Sequence, residues 1–196
     1  MYYHGLLDNL DIIGRYYPDW KVFVYVGADV TSEFLERLRD HPRVVLRETH
    51  EVGAVNMIHR FFAIDESDVE VMVVRDADSR VHWKDRWAIQ AFLESPYIAH
   101  TVRDNRVHGA VMMGGIWGMR NCGLSIRELY DEFRTRSVTR VHGYDQDFLT
   151  HCVHPRLHDH LLVIVGGEAP TYPGEHVLRF PFVWRNDIYC GRVESV

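Results

Sequence analysis

Three short stretches of the chain hold residue types that can do chemistry. The first is Arg75-Asp76-Ala77-Asp78-Ser79-Arg80, directly after the apolar run 69–74. Two carboxylates separated by one small residue can turn toward a single divalent cation. An all-oxygen pair suits Mg²⁺ or Mn²⁺ and leaves coordination positions free for substrate phosphates. The same two aspartates also suit a capped turn that starts a helix. The second stretch, residues 105–120, carries Gly109, Gly114, Gly115 and Gly118 around Trp117, just after Arg103 and Asp104. It has neither the Gly-Lys-Ser/Thr ending of a Walker A loop nor G-x-G-x-x-G spacing. Bare backbone beside a tryptophan suits close approach of a flat polar ligand such as a sugar ring, with Arg103, Asp104 and His108 offering hydroxyl contacts. A tight hairpin around a core tryptophan accounts for these residues equally. The third stretch, Tyr144-Asp145-Gln146-Asp147-Phe148-Leu149 after Gly143, reads as the start of a helix. Acidic residues in a first turn complement the helix dipole. Facing a cleft, Asp145 rather than Asp147 would serve as a general base toward a hydroxyl.

The histidines and cysteines point elsewhere. His151, His154, His158 and His160 crowd around Cys152, but Pro155 is expected to break any helix there and no second pair completes a zinc site. One of them is a candidate third ligand for a metal held by the aspartates. Three cysteines (Cys122, Cys152 and Cys190) without C-x-x-C spacing read as reduced cytosolic thiols, with Cys122 and Cys152 filling core positions.

These residues need a scaffold, and the hydrophobic pattern supplies one. Leu6, Leu7, Leu10 and Ile13 share one face of a helix over 4–15, and 21–26 (KVFVYV) reads as a buried strand. A helix beginning at Thr31 or Ser32, a strand at 43–46, a helix over 51–64 and a strand at 69–74 follow. Then come a helix over 84–93, a strand at 97–102, helices over 125–133 and 145–152, and a strand at 161–165. Strands alternating with helices predict an α/β fold with a mixed, mostly parallel twisted sheet flanked by helices. In such sheets ligands bind beyond the carboxyl ends of the strands, where Asp76 and Asp78 fall.

The chain has 196 residues and no linker or repeat, so a single domain over 1–196 is expected. Its core is expected over about 1–165, and the Pro- and aromatic-rich tail 166–196 is expected to wrap over the surface. Basic residues number 22 against 28 acidic ones, a formal charge of -6 with no Lys/Arg-rich face, which argues against a nucleic-acid partner. The one continuous apolar stretch, 161–165, is far too short to span a bilayer. Residues 1–5 lack the basic and apolar regions of a signal peptide, so a cytoplasmic location is expected.

Taken in order, the stretches 75–80, 103–120 and 144–149 resemble nucleotide-sugar glycosyltransferases of the GT-A fold. Among these they are most like the small glycosyltransferase domain of chlorella viruses involved in capsid glycan synthesis. The resemblance spans about residues 2–159 and fades in the tail. It implies that Asp76 and Asp78 hold Mn²⁺ or Mg²⁺ against the donor diphosphate, that Asp76 also meets the ribose, and that Arg75 and Arg80 lie beside the same charged group. It implies further that Arg103, Asp104, Gly114, Gly115 and Trp117 receive the donor sugar. Asp145 matches the aspartate that deprotonates the acceptor in inverting members, with Tyr144 standing where the family usually has an acidic residue. GT-A domains open with a strand whose end embraces the nucleoside base, whereas this sequence starts at the helix after it. The resemblance therefore implies an exposed sheet edge and weakened nucleotide affinity. The expected function is transfer of a sugar from a nucleoside diphosphate donor, UDP-linked, to a glycan or other hydroxyl acceptor. Two alternatives are a degenerate, non-catalytic nucleotide-sugar or glycan-binding module and a metal-dependent phosphohydrolase using the Asp76/Asp78 pair.

Overall fold

The computed structural model describes residues 2–135, 143–182 and 189–192. Helix α1 (Tyr2–Tyr16) lays Leu6, Leu7 and Leu10 against strand β1 (Val22–Val26). Helix α2 (Ser32–Arg39) adds Phe34 and Leu38 to this small core and leads into β2 (Val44–Glu48), which pairs with β1 in parallel.

The segment Gly53–Asp65 winds in 3-10 turns, not in the α-helix expected over 51–64. Its apolar residues explain why. Val55, Ile58, Phe61 and Ile64 recur every third position and stack along one line of a helix with three residues per turn. Ile58, Phe61 and Ile64 are all buried in the main core.

Beyond it lie β3 (Val71–Val73), α3 (Trp83–Leu93), β4 (Ala99–Arg103), β5 (Trp117–Arg120) and α4 (Ile126–Arg134). Ser125 Oγ accepts from the Glu128 N–H at α4's start, and the Asp65 carboxylate accepts from the Ile126 and Arg127 N–H groups. Helix α5 (Tyr144–Phe148) continues through a wide π turn (Leu149–Val153) into α6 (His154–Leu157). Pro155 thus does not end the helical run as expected, because it falls where the wide π turn passes into α6 and the hydrogen-bond ladder is already shifted. Strand β6 (Leu161–Val165) is buried at every position, and β7 (His176–Arg179) pairs beside it.

The five-stranded sheet runs β3-β5-β4-β6-β7, with β4, β6 and β7 parallel and β5 antiparallel to both neighbours. The mixed α/β architecture is the one expected. The tail differs, since residues 176–179 extend the sheet and Phe180 and Cys190 are buried in the core. Its anchor is Arg103, which ion-pairs with Glu175, donates to the Pro170 carbonyl and stacks over Tyr172. Residues 183–188 and 193–196 of the expected wrapping tail lie outside the described residues. Among the described residues the β1–β2 pair makes no ladder with the larger sheet. The unpaired sheet edge expected is present, since β1 pairs with β2 alone and β3 with β5 alone among the described residues.

His100 on β4 is buried and stacks on Phe92 at 4.4 Å. Burial, aided by the Arg75 charge, pushes its pKa from 6.5 down to about 3. The unfolded chain takes up this proton below pH 6.5 and the folded chain does not. Stability from this group is therefore complete above pH 6.5 and drains away toward pH 3, by up to about 1.4 kcal/mol per pH unit. Urea denaturation of wild type and His100→Leu from pH 7 to pH 4 should show a shallower pH slope in the variant.

Candidate active site

The backbone leaves β3 at Val73, and the Val74 N–H still donates to the Trp117 carbonyl at 2.8 Å. The chain then turns, with the Ser79 N–H (3.4 Å) and Oγ (3.2 Å) both donating to the Asp76 carbonyl. Asn9 of α1 clamps this turn from outside. Its Nδ2 donates to the Ser79 carbonyl at 2.7 Å, and its Oδ1 accepts from the Val81 N–H at 3.0 Å. Asn9 is 3% exposed, so this hydrogen-bond pair is sheltered from competing water. Arg80 reaches back to α1, pairing with Asp8 at 2.9 Å.

Across the cleft stands Asp145, on the first turn of α5. Gly143 at φ +89° starts that helix, a conformation glycine adopts without strain. Tyr144 is buried against Phe133 and Tyr130 and fixes the helix start. Asp147, the alternative base, is exposed, whereas Asp145 is buried. Arg60 of the 3-10 segment joins the two sides, pairing with Asp76 through Nη1 and with Asp145 Oδ2 through Nη2 at 2.7 Å. The glycines lie at the same place. A Cβ at Gly115 would stand 2.0 Å from Asp76 Oδ2, and one at Gly114 would stand 3.1 Å from Asp145 Oδ2. The Gly114 N–H donates to Gln146 Oε1 at 3.1 Å. Asp76, Asp145, Gly114 and Gly115 therefore converge, with Arg60 as hub.

Several expected site residues serve elsewhere. Arg75 turns away from the cleft to pair with the buried Asp85, and burial lowers its pKa. Trp117 is fully buried against Phe61, so its face is closed to any sugar. Arg103 anchors the tail, as described above. Asp104 pairs with Lys84 at 2.6 Å, with His108 and with the Cys190 N–H. Burial would raise the Asp104 pKa, but the His108 and Lys84 hydrogen bonds outweigh it and the net shift is downward. These interactions hold the interior together. Arg60, Gln146 and Asn9 were missed: an arginine within an apolar run reads as a solvated interruption, and a lone asparagine or glutamine on a helix reads as surface.

The residues fit a divalent cation at Asp76 and Asp78. The donors are all oxygen, and the bare backbone of Gly115 lets the Asp76 carboxylate pack close against it. Burial and the neighbouring Asp76 charge raise the Asp78 pKa. The histidines do not contribute: among the described residues, no third His, Cys, Asp or Glu closes on this pair. The trio that does gather is His82, Asp85 and Cys190. His82 caps α3 and Asp85 pairs with Arg75, so both are already engaged.

No family model matches the chain, and no curated protein matches its sequence. Solved structures similar in shape include two enzymes. One is 4-diphosphocytidyl-2C-methyl-D-erythritol synthase from Anaerococcus prevotii DSM 20548, at 11% identity over 84% of this chain and 80% of that one, with a TM-score of 0.54. The other is a glycosyltransferase involved in glycosylation of the major capsid of PBCV-1, at 16% identity over 73% of this chain and 80% of that one, with a TM-score of 0.49. The fold is GT-A-like. It is the architecture that the three motifs implied.

Replacing Arg60 with Met leaves the buried Asp145 carboxylate without its counter-charge. The expected cost is about 2–3 kcal/mol in urea denaturation, with part of it recovered in Arg60→Met/Asp145→Asn. Additive single-variant effects would show that the bridge contributes no coupling.

Proposed function

We propose that this chain transfers a sugar from a nucleoside diphosphate sugar, with UDP as the expected nucleotide, to a hydroxyl of a glycan or other acceptor. The observation supporting it most is the meeting of Asp76 and Asp145, from opposite walls, over a floor of two glycines beyond the end of a sheet strand. Asp76 and Asp78 would hold Mn²⁺ or Mg²⁺. When bound there, the ion offsets negative charge on the diphosphate as it leaves. Asp145 would accept the acceptor's hydroxyl proton. Arg60 positions both carboxylates and supplies fixed positive charge where the diphosphate accumulates negative charge. Gly114 and Gly115 let the two carboxylates pack against bare backbone, and Gln146 braces Gly114. Arg80 lies beside the aspartate turn, its Nη1 donating to the Asp78 carbonyl at 3.4 Å.

Titration calorimetry with UDP and Mn²⁺, paired with assays of sugar release from nucleotide sugars, tests this reading. Asp78→Asn should lose metal-dependent UDP binding while its melting temperature holds. Asp145→Asn should retain donor binding and lose transfer by roughly 10²–10⁴-fold, the usual contribution of a positioned base. Full transfer by either variant would remove that residue from the mechanism. A second reading, binding without transfer, is favoured by the Arg60 bridge, which ties up the would-be base. UDP binding with no sugar release from any donor would select it.

A further inference from the structure

The turn that carries Asp76 and Asp78 leaves an edge strand, since β3 pairs with β5 alone among the described residues. No second ladder fixes its course, and its buried backbone groups still need partners. Helix α1 supplies them. Gly5 and Asn9 stand four positions apart and so share one face of that helix. Asn9 Nδ2 donates to the Ser79 carbonyl at 2.7 Å and lies 3.5 Å from the Ala77 carbonyl. Its Oδ1 accepts from the Val81 N–H at 3.0 Å. One amide thus reaches backbone groups on both sides of Asp78. Asn9, Ser79 and Val81 are all buried, so water competes little for these bonds.

Gly5 completes the seat. A Cβ there would stand 2.5 Å from the Ala77 carbonyl oxygen and 3.1 Å from Asp78 Cα. Only bare helix backbone lets the turn come this close. Asp8 pairs with Arg80 at 2.9 Å, and Arg80 Nη1 donates to the Asp78 carbonyl at 3.4 Å. Little more than one turn of α1 therefore meets the chain from Ala77 to Val81. The same helix is fastened to the β1 core by Leu6, Leu7 and Leu10, which gives the seat a fixed base.

We propose that Asn9 and Gly5 are positioning residues for the divalent cation, setting the backbone of the turn so that the Asp76 and Asp78 carboxylates converge. Carboxylates on residues i and i+2 meet at one ion only when the turn between them holds a narrow range of shapes. Partners outside the ligand shell that fix this shape beforehand raise affinity without touching the ion. The inference rests on the metal reading of the aspartate pair. It gives α1 no ligand of its own; Asn9 and Gly5 act through the two aspartates.

Calorimetric binding of UDP over a series of Mn²⁺ concentrations tests this role. Asn9→Leu keeps the bulk of the side chain and removes both hydrogen-bonding atoms. It should raise the Mn²⁺ concentration for half-maximal UDP binding about tenfold, the low end for outer partners of metal ligands. Gly5→Ala should raise that midpoint too, although alanine favours the helix, so cation affinity and helix stability part company. Leu10→Ala is the control: Leu10 belongs to the β1 core and makes none of the turn's hydrogen bonds. It should lower the melting temperature and leave the midpoint unchanged. With no metal added, amide exchange at Val81 should quicken about tenfold in Asn9→Leu, a direct reading of the clamp. A wild-type midpoint in Asn9→Leu overturns the proposal. So does an equal shift in Leu10→Ala, which would mean a general loosening of α1. If Asn9→Leu does not fold, Gly5→Ala decides, and an unchanged midpoint there overturns the proposal. UDP binding that ignores Mn²⁺ in the wild type overturns the metal reading and this inference with it. The other adverse results overturn this inference alone.

Discussion

Everything near the carboxylates depends on one guanidinium. Arg60 holds Asp76 at the end of β3 and Asp145 at the start of α5, two groups 69 positions apart in sequence whose like charges would otherwise push the cleft walls apart. Its planar fork suits two carboxylates at once, which a lysine's single ammonium could not match. Its backbone lies in a segment whose neighbouring side chains Phe61 and Phe62 are driven into the main core. Hydrophobic burial thus sets the position of the charge. The cleft's electrostatics follow from the packing beneath it.

The cysteine and histidine cluster behind α3 shows the opposite economy. Arg75, Asp85, His82, Asp104 and Lys84 bury charge to join the third helix, the fourth strand and the tail. Such pairs are expensive to desolvate and are held by mutual satisfaction. Arg75 and Asp76 are adjacent in sequence yet serve different halves of the molecule, because successive residues leaving a strand point in opposite directions. One faces the interior and the other the cleft.

That divergence also marks how far the sequence could be read. Strand β6 and helices α3 and α4 were legible, since a fully apolar pentad, a helical run stopped by Ser95-Pro96 and one strongly amphipathic run leave few other uses. The Asp76/Asp78 turn and Asp145 were legible as a candidate site because position relative to a strand end and a helix start is local information. The roles of Trp117 and Arg103 were not. A tryptophan beside glycines looks the same in sequence whether its face is open or packed on Phe61, and Arg103 finds Glu175 only through a contact 72 positions away. Strand β7 escaped notice for a related reason: its His-Val-Leu-Arg gains its place from pairing with β6, not from its own pattern. The 3-10 run was legible as helical but not in its pitch, which turns on apolar spacing of three against three and four.

That pitch has a mechanical consequence. A 3-10 helix rises about 2.0 Å per residue and an α-helix about 1.5 Å, so rewinding thirteen residues would shorten the segment by roughly 6 Å. Rewinding it as an α-helix would draw Arg60 along the axis and away from both aspartates together.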